Sequence, residues 1–166
     1  MALLAEGAMY NWSVLYMKQE LHAAPATAAL AFATFSAAMA LGRVSGDAIR
    51  KRLSPAVVLR WGSYLTAFAV AIALASGNQL IALAGFALAG LGLANVIPVL
   101  YLAASRVPGI APPTAIALVS GLGYVGFIAG PPIVGGIAEA TSLTWAMGVV
   151  VVGSLAIALG ARRLPD

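Results

Sequence analysis

The chain has 166 residues, of which 62% are hydrophobic and 8% are charged, and its mean hydropathy is +0.99. A soluble domain of this length needs a charged surface to stay dispersed, so this composition predicts a membrane protein and argues against a nucleic-acid-binding one. The absence of cysteine and the single histidine exclude disulfides, thiolate metal sites and imidazole-based metal sites, and we expect no cofactor.

Six apolar runs are each about as long as a membrane-spanning helix, which needs roughly 20 residues. They are continuously apolar, without the alternation of barrel strands, and therefore predict α-helices. The first run begins at residue 1 and is short, so we expect a helix truncated at its start. The sequence predicts one transmembrane domain over 1–166, with helices at Met1–Met17, Ala24–Gly42, Ala56–Ser76, Leu80–Ser105, Thr114–Ala138 and Leu143–Ala161.

The basic residues fall on one side of the membrane if the six helices alternate in direction. Only Lys18 falls on the opposite side. Positively charged short loops stay in the cytoplasm, so we expect a multi-pass protein of a bacterial inner membrane with both termini cytoplasmic. The residues on the cytoplasmic side are Arg43, Arg50, Lys51, Arg52, Arg60, Arg106, Arg162 and Arg163.

Glu6 places an ionisable group inside the first run, where such groups are costly and usually face a polar cavity. At 3.6 residues per turn, Glu6 and Tyr10 share one face of the helix, and Asn11 and Trp12 flank that face. A carboxylate beside these side chains suits a polar solute or a transferable proton. The alternative is a solvated carboxylate at the end of a truncated helix.

The second connection holds one acid among several bases at the membrane boundary. Asp47 follows Arg43 at a spacing of four, which allows an ion pair between them or with a base after Asp47. An ordinary positively charged loop explains the bases but not the acid. We predict that the segment selects one state of a moving protein, through Arg43, Gly46, Asp47, Arg50, Lys51 and Arg52.

The fourth run carries an amide beside a proline. Asn95 lies three residues before Pro98, whose missing N–H leaves the carbonyl of Ala94 without its helical partner. A kink with an amide next to it is typical of a cavity wall. Interhelical hydrogen bonding by Asn95 explains the same residue equally well.

The fifth run combines glycines with a proline pair. Gly126 and Gly130 form a small-residue face that permits close approach of another helix. Pro131 and Pro132 remove backbone hydrogen bonds and predict a pliable helix. Static packing accounts for the glycines but less well for the prolines. Tyr124 is a further candidate for a solute pathway.

No residue pattern typical of an enzyme is present in the sequence. Ser120-Gly121, the one such pair near a span centre, lacks the glycine two residues earlier that an intramembrane serine protease shows. Phosphate-cradling loops and metal-ligand sets are also missing. We therefore do not expect an enzyme.

Three segments, Glu6–Tyr16, Gly42–Arg52 and Gly121–Glu139, resemble bacterial permeases of the major facilitator superfamily, and the likeness covers essentially the whole chain. The chain is similar in particular to a group of sugar or sugar-derivative permeases that includes the rhizopine-transport-like membrane proteins. In that group the seventh helix looks like Glu6-Gly7 with Asn11-Trp12-Ser13, and the eleventh like Gly123-Tyr124 with Gly126 and Gly130-Pro131-Pro132. The loop at 43–52 resembles the C-terminal-half version of the family's cytoplasmic motif, although its better-known form has glycine where Arg43 stands.

The resemblance implies the C-terminal six-helix half of a major facilitator fold, an all-α bundle of two inverted three-helix repeats in the lipid bilayer. It implies alternating-access transport of a small polar solute, sugar-like or drug-like, together with an N-terminal six-helix half from the same gene or a separate chain. A proton is a further candidate partner. Two alternatives stay open: a membrane scaffold or assembly subunit, and a homodimeric half-transporter. The implied pathway residues are Glu6, Tyr10, Asn11, Trp12, Asn95 and Tyr124.

Overall fold

The computed structural model describes residues 1–163, apart from the side chains of Asp47, Arg50 and Arg163, and every regular element in that part is helical. With α5 and α6 counted as one rod and the short α3 lying in a connection, six rods form the bundle. The predicted all-α bundle of six helices is confirmed. The elements are α1 (Ala2–Gln19), α2 (Pro25–Val44), α3 (Gly46–Arg50), α4 (Pro55–Ser76), α5 (Gln79–Leu93), α6 (Val96–Ala104), α7 (Pro112–Ala140), α8 (Leu143–Gly160) and the 3-10 turn Ala161–Arg163.

Five rods in the described part are long and apolar enough to cross a membrane: α2, α4, the pair α5 and α6, α7, and α8. The exception is α1, because Glu6, Asn11 and Lys18 make it more polar. It nevertheless packs against α2, α7 and α8, and Met9 and Met17 on it are fully buried. Protein rather than lipid therefore surrounds most of this helix.

Local capping chemistry sets several helix ends. Gly77 adopts the left-handed conformation, with φ of +61°, that ends α4. Asn78 then caps α5, since its Oδ1 accepts a hydrogen bond from the Leu80 N–H at 2.9 Å. Ser142 caps α8 by accepting a bond from the Trp145 N–H at 3.4 Å. The side chains of Asn78 and Ser142 each satisfy a backbone donor that the helix itself leaves unpaired.

The direction of each rod follows from its contacts. Gly7 lies against Phe127, and Trp12 lies against Gly135, so α1 and α7 run parallel. Rods that follow each other along the chain alternate in direction, which brings the start of α1, the end of α8 and two of the connections together. We call this side of the bundle the basic end, because it carries Arg43, Lys51, Arg52, Arg106 and Arg162.

Glycines place α5 at the centre of the bundle, between α2 and α4. A Cβ added at Gly85 would lie 2.7 Å from the carbonyl oxygen of Ala69 on α4. A Cβ added at Gly90 would collide with the carbonyl oxygen of Phe35 on α2. Small residues in membrane helices permit this backbone contact, which gives the packing that the hydrophobic effect cannot drive within lipid.

The proline motifs behave differently in the two helices that carry them. The rod of α5 and α6 is interrupted at Asn95, where Pro98 has no N–H to bond the carbonyl of Ala94. In contrast, α7 continues through Pro131 and Pro132 as a single helix of 29 residues. The helix is not broken at these prolines, so the predicted pliability of α7 stays a prediction.

The most peripheral rod is α7. Only 6% of its most apolar stretch is buried inside the bundle, against 56% for the rod of α5 and α6. It packs on α1, α6 and α8, and its other sides are uncovered. Large apolar side chains such as Leu122 and Ile128 are 76% and 72% exposed there.

At the end opposite the basic end, Glu20 ties α1 to α8. Its Oε1 accepts a bond from the Leu143 N–H at 2.9 Å, and its Oε2 accepts one from Thr144 Oγ1 at 3.1 Å.

We expect Glu20→Ala to lower the free energy of unfolding by about 1 kcal/mol, the usual cost of losing a cap. Unfolding in mixed micelles measures the change, with Glu139→Ala as the control on an exposed acid of α7. Equal effects of both variants would contradict a capping role.

Candidate functional site

A partly buried ion pair joins α1 to the end of α2. Nη2 of Arg43 donates to Oε1 of Glu6 at 2.9 Å. The Glu6 side chain is 12% exposed and that of Arg43 is 45% exposed, so the carboxylate lies inside the bundle and the guanidinium reaches out of it. Oε2 of Glu6 is buried and has no hydrogen-bond partner within the described chain. Glu6 is therefore not a solvated carboxylate.

The chemistry of this pair depends on its low-dielectric surroundings. A buried carboxylate needs a counter-charge, and Arg43 is the cation that touches it. Oε2 of Glu6 keeps its lone pairs for a further hydrogen bond. The pair therefore fastens α1 to the end of α2.

Tyr10 follows Glu6 along α1 and packs against α2. Its ring meets Phe35 edge-on, with centroids 5.1 Å apart, and lies tilted against Phe32 at 5.6 Å. Its hydroxyl donates to Sδ of Met39 at 3.5 Å. The face predicted to hold Glu6 and Tyr10 together therefore contacts α2, and both side chains hold α1 against it.

The other predicted pathway residues of α1 lie on a different side of the helix. Asn11 is exposed, and its Nδ2 donates to the Gly7 carbonyl at 2.9 Å. Trp12 is half-buried against Gly135 of α7. Tyr124 on α7 is 59% exposed. The structure separates these three from the Glu6–Arg43 pair.

Together α2, α1 and α7 present one uncovered surface, which we call the open face. Phe32 of α2 is 46% exposed, Asn11 of α1 lies in the middle, and Phe127 of α7 is 40% exposed. Phe32 contacts Tyr10 from one side of α1, and Phe127 lies against Gly7 from the other. The open face is therefore continuous across the three helices.

Asn95 connects the interruption of the fourth rod to the end of α2. Its Nδ2 donates to the carbonyl of Gly42 at 2.9 Å, and the residue is only 5% exposed. Gly42 immediately precedes Arg43, so this bond and the ion pair hold the same turn of α2. This contact supports the interpretation that Asn95 forms a hydrogen bond between helices. A position of Asn95 on a cavity wall stays a prediction.

The loop predicted to select a state is described only in part. Gly46 begins α3 and is buried, while Lys51 and Arg52 are exposed. The side chains of Asp47 and Arg50 lie outside the described residues, so the predicted pairing of Asp47 with Arg43 or with a base after it stays untested. Arg43, the first base of this segment, bonds to Glu6 of α1.

The predicted packing and hinge residues of α7 divide into two groups. A Cβ added at Gly126 or at Gly130 would lie 3.8 Å from the side chain of Leu4. This is an ordinary van der Waals distance, so the packing of α7 on α1 does not require glycine at these two positions. Pro131 and Pro132 are exposed on the outer side of the helix. Their roles as hinges, like that of half-buried Pro98, remain predictions.

Sequence reasoning missed the partner of Glu6, although a signal was present. Glu6 lies near the start of the first predicted helix and Arg43 near the end of the second, so antiparallel packing of the two helices places both residues at the same depth. The spacing of four between Arg43 and Asp47 favours a local pairing instead. Glu20 was also missed, because an acid in a connection looks like ordinary solvated charge.

Comparisons with known proteins identify the family. A model of the Major Facilitator Superfamily matches residues 1–166. The chain is 37% identical over 161 residues, 97% of its length, to an uncharacterised MFS-type transporter of Yersinia pestis, of which it covers 42%. It is 32% identical over 143 residues, 86% of its length, to the membrane protein MosC of Rhizobium meliloti, of which it covers 35%.

A third relative, an uncharacterised transporter of Sinorhizobium fredii, is 30% identical over 84% of the chain, which covers 37% of it. The chain thus spans about two-fifths of the length of the curated relatives that it matches. No solved structure matches the chain. The predicted family, which comprises transporters and not enzymes, is confirmed, and the chain belongs to the major facilitator superfamily as a multi-pass membrane protein.

Proposed function

We propose that the chain forms the C-terminal six-helix half of a transporter that moves a small polar solute across a bacterial inner membrane by alternating access. The other half is a second six-helix bundle, consistent with relatives more than twice as long as this chain. The solute, sugar-like or drug-like, would pass between the two bundles near the membrane midplane. The basic end would face the cytoplasm, together with both termini.

The open face is the observation that carries this proposal. Asn11 lies near the middle of α1 and is exposed, and Tyr124 presents its ring from α7. A side-chain amide facing hydrocarbon leaves hydrogen-bonding groups unsatisfied, which is costly in lipid. The open face has the Asn11 amide at its centre, with Phe32 on one side and Phe127 on the other. Such a face suits a polar pathway that is closed by a second bundle.

The Glu6–Arg43 pair would act behind this face. Alternating access requires contacts that exist in one state and open in the other. Protonation of Glu6 would release Arg43 and loosen α1 from the end of α2, which couples proton binding to a movement of the pathway wall. Proton coupling through Glu6 would therefore act on the contact between α1 and the end of α2.

These 166 residues contain no cysteine, so single cysteines can test the open face once any cysteine elsewhere in the full-length protein has been replaced. We expect Asn11→Cys in the full-length protein to react with a membrane-impermeant maleimide, and saturating solute to slow the reaction. Phe68→Cys on α4 is the matched control, since Phe68 is 62% exposed in the bundle and also near the middle of its span. A cysteine there should stay unreactive because lipid surrounds it.

Equal and negligible labelling at both positions would contradict a water-filled pathway and would leave the scaffold interpretation. Labelling at position 11 without a second bundle, protected by solute, would instead support a homodimeric half-transporter. Residue 124 supplies a second test on the other edge of the open face, because Tyr124→Cys should follow Asn11→Cys in both reactivity and protection.

A further inference from the structure

A cluster of arginine and aromatic side chains lies on the outer surface of α4, away from the open face. The Arg60 guanidinium carbon is 5.9 Å from the centre of the Trp61 ring. The rings of Trp61 and Tyr64 are 6.0 Å apart. Nη2 of Arg162, just after α8, donates to the Tyr64 hydroxyl at 2.9 Å. We call these four residues the Arg60–Arg162 cluster.

Neither guanidinium of this cluster has an acidic partner in the part of the chain that the structure describes. The one ion pair found there joins Glu6 and Arg43. Nε of Arg60 is buried and has no hydrogen-bond partner among the described residues. Two cations at the membrane boundary with unused donors make a site for an anion.

The position of the cluster indicates where that anion comes from. Trp61 is 61% exposed, and Trp and Tyr side chains favour the level of the lipid headgroups. Further along α4, away from the basic end, Leu65, Phe68 and Ile72 form an exposed apolar strip at helical spacing. The cluster thus lies at headgroup level with the strip below it.

The cluster is also separate from the proposed solute pathway. Within the described residues, the backbone of α4 packs against α3, α5, α6, α8 and the 3-10 turn. It meets α1 at the far end from the cluster, where the Tyr16 hydroxyl donates to the carbonyls of Ala73 and Leu74 at 3.5 Å. An anion bound here would therefore be on the lipid-facing side of the bundle. Its binding does not depend on whether the open face conducts solute.

We propose that the Arg60–Arg162 cluster binds the phosphate of an anionic phospholipid, with an acyl chain lying along Leu65, Phe68 and Ile72. Arg60 and Tyr64 are four residues apart on one helix face, so Arg162, bonded to Tyr64, brings the second guanidinium to the same side. Guanidinium groups match the oxygens of a phosphate in a planar, two-point geometry. A zwitterionic lipid would bring its own cation and lose much of this attraction.

Native mass spectrometry of the purified full-length protein, loaded with phosphatidylglycerol or phosphatidylcholine, tests this site. We expect phosphatidylglycerol to be retained in preference to phosphatidylcholine. Arg60→Gln and Arg162→Gln should each weaken that retention roughly tenfold, the loss expected for one charge-assisted hydrogen bond. Arg60→Lys should weaken the retention less, since lysine keeps the positive charge and loses only the planar, two-point geometry of the guanidinium group.

Arg106→Gln is the matched control, because Arg106 is exposed at the same end and loses the same charge. An equal loss of lipid in this control would overturn the proposal in favour of diffuse charge attraction. Equal retention of the two lipids would overturn it as well. Displacement of phosphatidylglycerol by inorganic phosphate would show a site for a free anion rather than a lipid. The melting temperature of each variant checks that the bundle has folded.

Discussion

Replacing Arg43 with methionine is expected to lower the free energy of unfolding by about 2 kcal/mol, because the change leaves the buried Glu6 carboxylate without its cation. The loss is smaller than for a fully buried pair, since 45% of the Arg43 side chain is exposed. Glu6→Gln should cost about 1 kcal/mol or less, because the remaining guanidinium can turn toward water. Unfolding in mixed micelles measures both changes.

The double variant makes this prediction specific. Glu6→Gln combined with Arg43→Met removes both charges and should be more stable than Arg43→Met alone. Arg106→Met, at an exposed arginine of the same end, should change stability by less than about 0.5 kcal/mol. If the two single effects simply add in the double variant, the ion pair does not stabilise the contact between α1 and α2.

The six-helix bundle was predictable because a bilayer imposes length and apolarity on every span. Each predicted run overlaps a rod of the structure, and the interruption at Asn95 falls beside the proline that predicted a kink. The proline pair of α7 predicted a pliable helix, and this stays a prediction. Pro131 and Pro132 remove two donors, yet α7 stays one helix, because spanning helices accommodate such losses in ways that composition does not reveal.

The candidate site was less predictable, because its contacts join residues distant in sequence. Helical periodicity correctly grouped Glu6 with Tyr10, but it did not show that this face meets α2 through Arg43, Phe35 and Met39. Periodicity also could not show that Asn11 lies on the uncovered side. The difference is set by which helices neighbour α1, and that arrangement is a property of the whole bundle.

The two contacts at the end of α2 suggest how the open face and the interior are connected. Asn95 holds the carbonyl of Gly42, and Glu6 holds the side chain of the next residue, Arg43. One bond comes from the central rod and the other from the helix in the middle of the open face. Release of Glu6, as proposed above, would leave this turn of α2 bonded to the central rod through Asn95, so α2 and α5 would stay together while the contact with α1 loosens.

Such a division requires α2 and α5 to be firmly packed, and Gly90 is where this requirement is most severe. We expect Gly90→Ala to lower the free energy of unfolding by about 3 kcal/mol, the upper end of the usual range for overpacking. The added Cβ would collide with the Phe35 carbonyl and lie 3.1 Å from the Met39 backbone nitrogen. Neither atom can turn away as a side chain does, so the two helices must separate.

Gly148→Ala provides the matched control for this prediction, since a Cβ at Gly148 of α8 has no neighbour within 4 Å. That variant should leave stability unchanged within about 1 kcal/mol, in the direction of a small gain from alanine's helix propensity. Unfolding of both variants in mixed micelles separates steric contact from propensity, because the chemical change is identical. If Gly90→Ala proved as stable as Gly148→Ala, α2 and α5 would be loosely packed, and the movement proposed for α1 would have no fixed helix pair to move against.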